Sequence, residues 1–228
     1  AGGDGTVNEV VNGMGADSPP LAILPLGTTN VLALEIGLPQ SFTAACDLAV
    51  GGRPSLIHLG LAGERRFVLM AGVGFDAAVV RGVNLRLKRL MGKGAYAVSA
   101  LRAWLRPQNR SFELVDERGR IHRGYGAIIS NARCYGGRFT MTPQASLLAD
   151  WLEVCLIVRP GRLALLRAGV ALLSGRTMPP SWGRYFQTRH LEVKGEGIAV
   201  QLDGDDAGFL PQVVTMNPFP IPLILPGG

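Results

Sequence analysis

Cysteine is scarce in this chain. There are three, Cys46, Cys134 and Cys155, widely spaced and with no C-x-x-C pair. That argues against a thiolate metal cluster or a redox pair, and predicts free thiols in a reducing compartment. The three histidines, His58, His122 and His190, show no ligand spacing either. No apolar run approaches the ~18 residues needed to span a bilayer. The richest, Leu163 to Leu173, is interrupted by Arg167. Repeats and low-complexity tracts are missing, and so is a signal peptide. Acid is missing from one long stretch. Between Asp76 and Glu113 there is no Asp or Glu, while Arg81, Arg86, Lys88, Arg89, Lys93, Arg102, Arg106 and Arg110 all fall there.

What is present is apolar and mildly basic. With 47% hydrophobic and 18% charged residues in 228, the chain has enough to build a sizeable core. The net charge of +6 suits an anionic partner: a nucleotide, an acidic membrane surface or a nucleic acid. Nucleic acid is not expected, because aromatic residues are not interleaved with the basic ones as stacking platforms would require.

The first fifty residues read as α/β. Val7 to Met14 is expected to be a helix, with Thr6 as N-cap and Glu9 at the capping-box spacing. Leu21 to Leu26 reads as a buried parallel strand, Asn30 to Ile36 as a second helix and Phe42 to Val50 as a third. After Pro54, Leu56 to Leu61 and Arg66 to Val73 suggest a hairpin around Gly63. The basic segment from Ala77 to Arg110 has a broken helical period, through Leu85, Leu87, Leu90, Tyr96, Val98, Leu101 and Leu105. Further strands are expected at Ser111–Val115, Gly126–Asn131, Leu152–Val158, His190–Lys194, Ile198–Leu202 and Val213–Met216, with one helix at Leu163–Leu173. The fold class is therefore α/β plus all-β. Two domains are read, a small α/β unit over 1–54 and a larger, β-rich antiparallel unit over 55–228, with a cleft between them.

Two glycine turns carry the first chemistry. Gly2-Gly3-Asp4-Gly5-Thr6 lets the backbone approach phosphate oxygens, and the helix after it aims free N–H groups at the same point. Asp4 would repel phosphate unless a Mg²⁺–water link intervened. Pro25-Leu26-Gly27-Thr28-Thr29-Asn30 repeats the design: strand, glycine turn, hydroxyl and amide residues, helix. The Walker pattern and the dinucleotide Gly-x-Gly-x-x-Gly are both missing. Late in the chain, Asp203-Gly204-Asp205 ends an apolar run. One carboxylate there could act as base while the other holds Mg²⁺ or orients its partner, or the segment is a plain acidic turn. Asp76 either touches an acceptor head group or caps the next helix.

Five ordered segments resemble the diacylglycerol kinase catalytic family, which includes sphingosine, ceramide and bacterial lipid kinases. They are Gly2 to Gly13, Pro25 to Asn30, Gly72-Val73-Gly74-Phe75-Asp76-Ala77, Tyr135-Gly136-Gly137 with Pro143-Gln144-Ala145 and Asp150, and Leu202-Asp203-Gly204-Asp205. The resemblance spans nearly the whole chain, and implies an incomplete Rossmann-like nucleotide-binding domain followed by a larger antiparallel β-sandwich whose last residues are free to return to the first domain. It implies ATP in an interdomain cleft, contacted by Gly2, Gly3, Asp4, Gly5, Thr6, Val7, Asn8 and Glu9 and by Gly27, Thr28 and Asn30. It implies Mg²⁺ held by Asp150 with the carbonyls of Leu147 and Leu152. Asp203 and Asp205, with Asp4, would be the catalytic acids, and Asp76 would meet the substrate. The implied partners are a lipid substrate and an anionic membrane surface met peripherally from the cytoplasm. Oligomeric state stays open, a homodimer included.

Departures from the family are visible too. Asp205 stands where Glu is usual, Val31 where many members have Asp, and Trp151 where Gly is common after Asp150. Relatives carry a strand and helix before the first motif, so Ala1 is read as an internal cut or a misplaced start. The implied activity is phosphorylation of a primary hydroxyl of diacylglycerol, a sphingoid base or a related lipid. The rival readings are a soluble-substrate kinase of the NAD kinase type and a non-catalytic relative that binds lipid or a partner.

Overall fold

Two burial demands shape the strands. Some strands alternate, as Phe112–Asp116 does, with every second residue buried. Others, such as Gly126–Ser130 and Ala199–Leu202, are buried at every position. Alternation means one face meets water, and continuous burial means both faces are covered. The computed structural model, which describes residues 1–82, 94–105 and 110–227, shows why both kinds occur.

In chain order the elements begin with α1 (Asp4–Gly13), α2 (Val31–Glu35) and α3 (Phe42–Gly51). Next come β1 (Pro54–Ile57), β2 (Gly60–Ala62), β3 (Arg65–Phe67), β4 (Met70–Val73), α4 (Phe75–Arg81) and α5 (Gly94–Leu105). Then follow β5 (Phe112–Asp116), β6 (Ile121–Gly124), β7 (Gly126–Ser130), β8 (Cys134–Tyr135), β9 (Phe139–Thr140), β10 (Leu152–Ile157) and α6 (Arg162–Ser174). The chain ends through β11 (Gly183–Thr188), β12 (His190–Lys194), β13 (Ala199–Leu202), β14 (Asp205–Phe209), β15 (Gln212–Met216) and β16 (Ile221–Ile224).

Two six-stranded sheets, each antiparallel throughout, form a sandwich. One runs β11-β10-β7-β4-β13-β14 and the other β3-β2-β15-β12-β5-β6. Phe67, Leu114, Ile129, Leu152, Leu156, Leu191 and Leu202 fill the space between them. Burying each such side chain contributes about 1.5–3 kcal/mol. The first sheet has a second covered face. Met70, Ile128 and Cys155 pack there against Val11, Ile23, Leu32, Ala168 and Ala171, from the N-terminal helices and α6. The sequence-predicted α/β plus β-sandwich class describes this architecture.

The buried parallel strand expected at Leu21 to Leu26 is not formed: these residues pair only through isolated bridges, and Leu26 is exposed. The Gly2 amide donates to Leu24 O at 3.0 Å and the Leu26 amide to Gly2 O at 3.0 Å, a parallel bridge. Leu21 bridges Leu223 in β16, and β16 pairs antiparallel with β1. The end of the chain thus lies between Leu21 and β1.

Several local expectations are corrected. Helix α1 starts at Asp4 rather than Val7, and its N-cap is Gly3, with no side-chain capping bond. Thr6 is inside the helix, packed so closely over Gly2 that a Cβ there would sit 2.6 Å from Thr6 Cβ. The hairpin around Gly63 is reduced to β2 and β3. Its flanks leave for other sheets because their amides bond elsewhere: His58 N donates to Leu147 O, and Val68 N and Leu69 N donate to the Asp203 carboxylate. The polar edge strand β11 and β14, which pairs with a register shift, lie outside the strands expected from the sequence. Of the basic segment, Leu85, Arg86, Leu87, Lys88, Arg89, Leu90, Lys93 and Arg106 lie outside the described residues, as do the side chains of Tyr96 and Val98.

Helix α1 is fastened to the sandwich through Arg66. Its Nη1 donates to Val11 O at 2.9 Å and to Met14 O, satisfying carbonyls at the helix C-terminus. Its Nε donates to Asn217 Oδ1, and the guanidinium lies 4.8 Å from the centre of the Phe219 ring. Replacing Arg66 with Met keeps the aliphatic bulk and removes these bonds. We expect a loss of about 2–3 kcal/mol in unfolding free energy by urea titration, with the far-ultraviolet circular dichroism unchanged.

Candidate active site

The two glycine turns touch. A Cβ on Gly27 would stand 2.6 Å from Gly3 Cα, so neither turn tolerates a side chain at its contact point. Asn30 holds the second turn. It adopts φ 50°, and its side chain accepts from Gly27 N at 2.8 Å and donates to Gly27 O at 2.7 Å. The Asn30 amide expected at the nucleotide is therefore spent within its own turn. Asp4 Oδ1 accepts from Leu32 N at 3.2 Å, tying α1 to the start of α2. Gly2, Gly3, Asp4, Val7, Asn30 and Leu32 line a shallow depression where the turns meet. Gly5, Thr6, Glu9 and Thr28 are exposed.

Asn8 is turned the other way. It is buried, and its Nδ2 donates to Asp203 Oδ2 at 2.7 Å. One turn later, Asn12 accepts from Arg66 N and donates to Arg66 O. The i, i+4 pair Asn8 and Asn12 thus docks α1 on the β3 edge.

The acidic turn divides its two carboxylates between different environments. Asp203 takes φ 50° and Gly204 φ 90°. The enclosed Asp203 carboxylate accepts from Val68 N at 2.7 Å, Leu69 N at 2.8 Å, Met70 N at 2.9 Å and Asn8. Burial pushes its pKa up, and these four donors push back. Expected as a catalytic acid, Asp203 instead has its oxygens committed to holding the turn in place. Asp205 opens β14 exposed to solvent, and its carboxylate has no hydrogen-bond partner among the described residues. The adjacent Asp206 pairs with Arg81 at 3.3 Å.

Asp76 reaches the same region through Gln201. Asp76 Oδ2 accepts from Gln201 Nε2 at 2.7 Å, while Gln201 Oε1 accepts from Gly204 N at 2.7 Å. Tyr135 donates its hydroxyl to Asp76 Oδ1. A Cβ on Gly72 would stand 1.9 Å from Asp76 Oδ2, so this glycine makes room for the carboxylate. Burial raises the Asp76 pKa above its ordinary 3.8, opposed by the Tyr135 and Gln201 bonds. Gln201, 2% exposed, was not singled out from sequence. Its signal was a polar residue inside the apolar run Ile198 to Leu202. Arg66 and Asn12 carried no comparable signal.

The implied Mg²⁺ ligands carry partners from the protein itself in this arrangement. Asp150 is the sole carboxylate of the set, and Arg189 engages both its carboxylate and, at 3.1 Å, its carbonyl. Leu147 O already accepts from His58 N at 2.7 Å, and Leu152 is in register with Thr188 in the sheet. Among the described residues, no group of three or more His, Cys, Asp or Glu is placed to hold a metal.

Two outcomes follow from this geometry. Asp203→Asn sets an amide against backbone donors and leaves N–H groups without acceptors. It should cost about 2–4 kcal/mol of stability and speed hydrogen exchange at Val68, Leu69 and Met70. Unchanged exchange at those amides would mean that the carboxylate is not their acceptor. The raised pKa of Asp76 means that the folded chain keeps the proton more tightly than the unfolded one. Its contribution is full below the ordinary carboxylate pKa and is lost as pH rises through the folded value. In a thermal melting series from pH 4 upward, Asp76→Asn should therefore show a shallower decline than the wild type.

The likeness to known proteins agrees with the motifs. Residues 1–62 match the diacylglycerol kinase catalytic domain, and residues 70–225 match the YegS C-terminal NAD kinase beta sandwich-like domain. The diacylglycerol kinase of Mycobacterium tuberculosis is 30% identical over 99% of this chain and 75% of its own length. That of Bacillus subtilis is 27% identical over 92% of this chain and 71% of its own. Among solved structures, a diacylglycerol kinase from Bacillus anthracis superposes with a TM-score of 0.76 at 20% identity, covering 99% of this chain and 76% of the other. An NAD kinase from Archaeoglobus fulgidus in complex with ATP gives 0.51 at 14% identity, over 98% and 75%. Among the described residues, no helix is long and apolar enough to cross a membrane. With both parts of the chain matched in order, it belongs to the family of diacylglycerol kinases and YegS-like lipid kinases.

Proposed function

We propose that this chain transfers the γ-phosphoryl group of MgATP to a primary hydroxyl of a lipid such as diacylglycerol or a sphingoid base. The observation that carries the reading is the meeting of both glycine turns with the acidic turn, through Asn8 on α1 and the Asp203 carboxylate it bonds.

Phosphoryl transfer needs positioning, charge stabilisation and a group to take the hydroxyl proton. The first turn of α1 offers free backbone N–H groups at Gly5 and Thr6, and the helix dipole adds to their attraction for phosphate. Thr28 supplies a hydroxyl on the facing turn. Asp4 would face the cation that accompanies the triphosphate, which would neutralise charge on the transferring group. Asp205 takes the proton of the acceptor hydroxyl, because Asp203 is committed to four donors. Gln201, through its bond to Gly204 N, keeps that turn next to Asp76 and Tyr135. Those two groups would receive the polar end of the acceptor.

Labelled ATP offered with dioleoylglycerol, sphingosine and NAD tests the reading. A labelled phospholipid is the expected product. Asp205→Asn should lower kcat by roughly 10²–10⁴-fold at an unchanged melting temperature. Gly27→Ala, which pushes the turns apart, should raise KM for ATP. Label found in NAD alone, or in no lipid, would reject the lipid assignment.

A further inference from the structure

Helix α6 has two unlike faces. Ala164, Ala168 and Ala171 pack inward. Leu163, Leu166, Val170 and Leu173 face outward, 53, 56, 58 and 71% exposed. At 3.6 residues per turn these four share one face, with Arg162 and Arg167 at its two borders. Each bordering arginine lies over a tryptophan. The Arg162 guanidinium is 5.5 Å from the Trp104 ring centre, and that of Arg167 is 4.4 Å from the Trp182 ring centre.

The surroundings carry one sign of charge. No Asp or Glu occurs between Glu153 and Glu192, the stretch that includes α6. None occurs between Asp76 and Glu113, the stretch that includes α5. These two stretches meet. Trp104 Nε1 donates to Arg162 O at 3.4 Å, and Arg162 Nη2 donates to Leu105 O at 2.6 Å. Leu101 and Leu105 on α5 are themselves half-exposed.

We infer that the outer face of α6, with the end of α5, docks on an anionic lipid bilayer. The aliphatic stripe suits the acyl boundary, the guanidiniums suit lipid phosphates, and tryptophan suits the layer between. A second copy of the chain fits less well. Four half-exposed side chains offer a few hundred Å², against roughly 800 Å² per partner in a stable pair. Apposing two such faces would also bring arginines together with no acid to pair them. The position is apt for the proposed reaction, on which this one point rests. Helix α6 packs on β9, whose partner strand β8 carries Tyr135 to Asp76.

Flotation of the full chain with vesicles tests the inference without turnover. The chain should float with phosphatidylcholine–phosphatidylglycerol vesicles, less so as salt rises, and not with phosphatidylcholine alone. Leu166→Asn with Val170→Asn should lose most of that binding at an unchanged melting temperature. Arg162→Gln with Arg167→Gln should lose the preference for anionic lipid. Equal flotation of the wild type and the Leu166/Val170 variant would overturn the inference, as would a wild type that never floats. A wild-type dimer made monomeric by the stripe substitutions, with vesicle binding unmoved, would assign the face to a second copy. Turnover of a water-soluble short-chain diacylglycerol, measured separately, should be the same in wild type and stripe variant. A wild type that floats but phosphorylates no lipid leaves the docking face standing and removes the kinase assignment.

Discussion

The Asp203 carboxylate ties together three parts of the chain. Two backbone amides come from the β3–β4 connection and a third from the first residue of β4, one side-chain amide comes from α1, and the acid itself sits at the end of β13. An enclosed carboxylate is costly unless its lone pairs are filled, and each of these N–H groups would be costly without an acceptor. The demand is mutual, so the parts are bound to one geometry. It ends β3 early, forces the left-handed conformation at Asp203 and fixes α1 against the sandwich edge. The glycine turn at the start of α1 and the acidic turn after β13 therefore keep a constant relation.

Neighbouring bonds extend the same constraint. Asn8 and Asn12 lay one face of α1 along β3, and Arg66 closes its C-terminus. Gln201 passes the position of Gly204 on to Asp76, and Tyr135 approaches Asp76 from the β8–β9 hairpin. The polar groups of the site form one connected set across the seam between the N-terminal elements and the sandwich. In a low-dielectric setting such a set is rigid when filled and costly when a member is lost. Asp205 stands at its edge, oriented by the backbone while its side chain is left to solvent.

Charge is distributed differently on the far side. Around α6 the anchoring is by guanidinium over indole rather than by ion pairs, which leaves the positive charge uncompensated. At Asp150 the reverse holds, and Arg189 neutralises the acid from within the chain. The same residue type thus closes one site and leaves another surface open to an anionic partner.

Much of this was legible from the residues. The glycine runs marked two tight turns that lead into helices, because only glycine permits the close approach of Gly3 and Gly27. The largely apolar runs at Gly126–Asn131 and Leu152–Val158 marked two strands, which the structure forms as β7 and β10, while their burial on both faces was not legible. The resemblance in five ordered segments implied the family. Three things depended on tertiary structure. Asp203 and Asp205 are one glycine apart and alike in sequence, yet one is enclosed by donors from Asn8 and Val68 to Met70 and the other faces water. The capping role expected of Thr6 passed to Gly3, because the facing turn allows no side chain there. The cation beside Asp150 is Arg189, from a distant strand connection. Residue type sets what a group can do, but the partners that decide what it does are brought by the fold from far along the chain, where no local pattern records them.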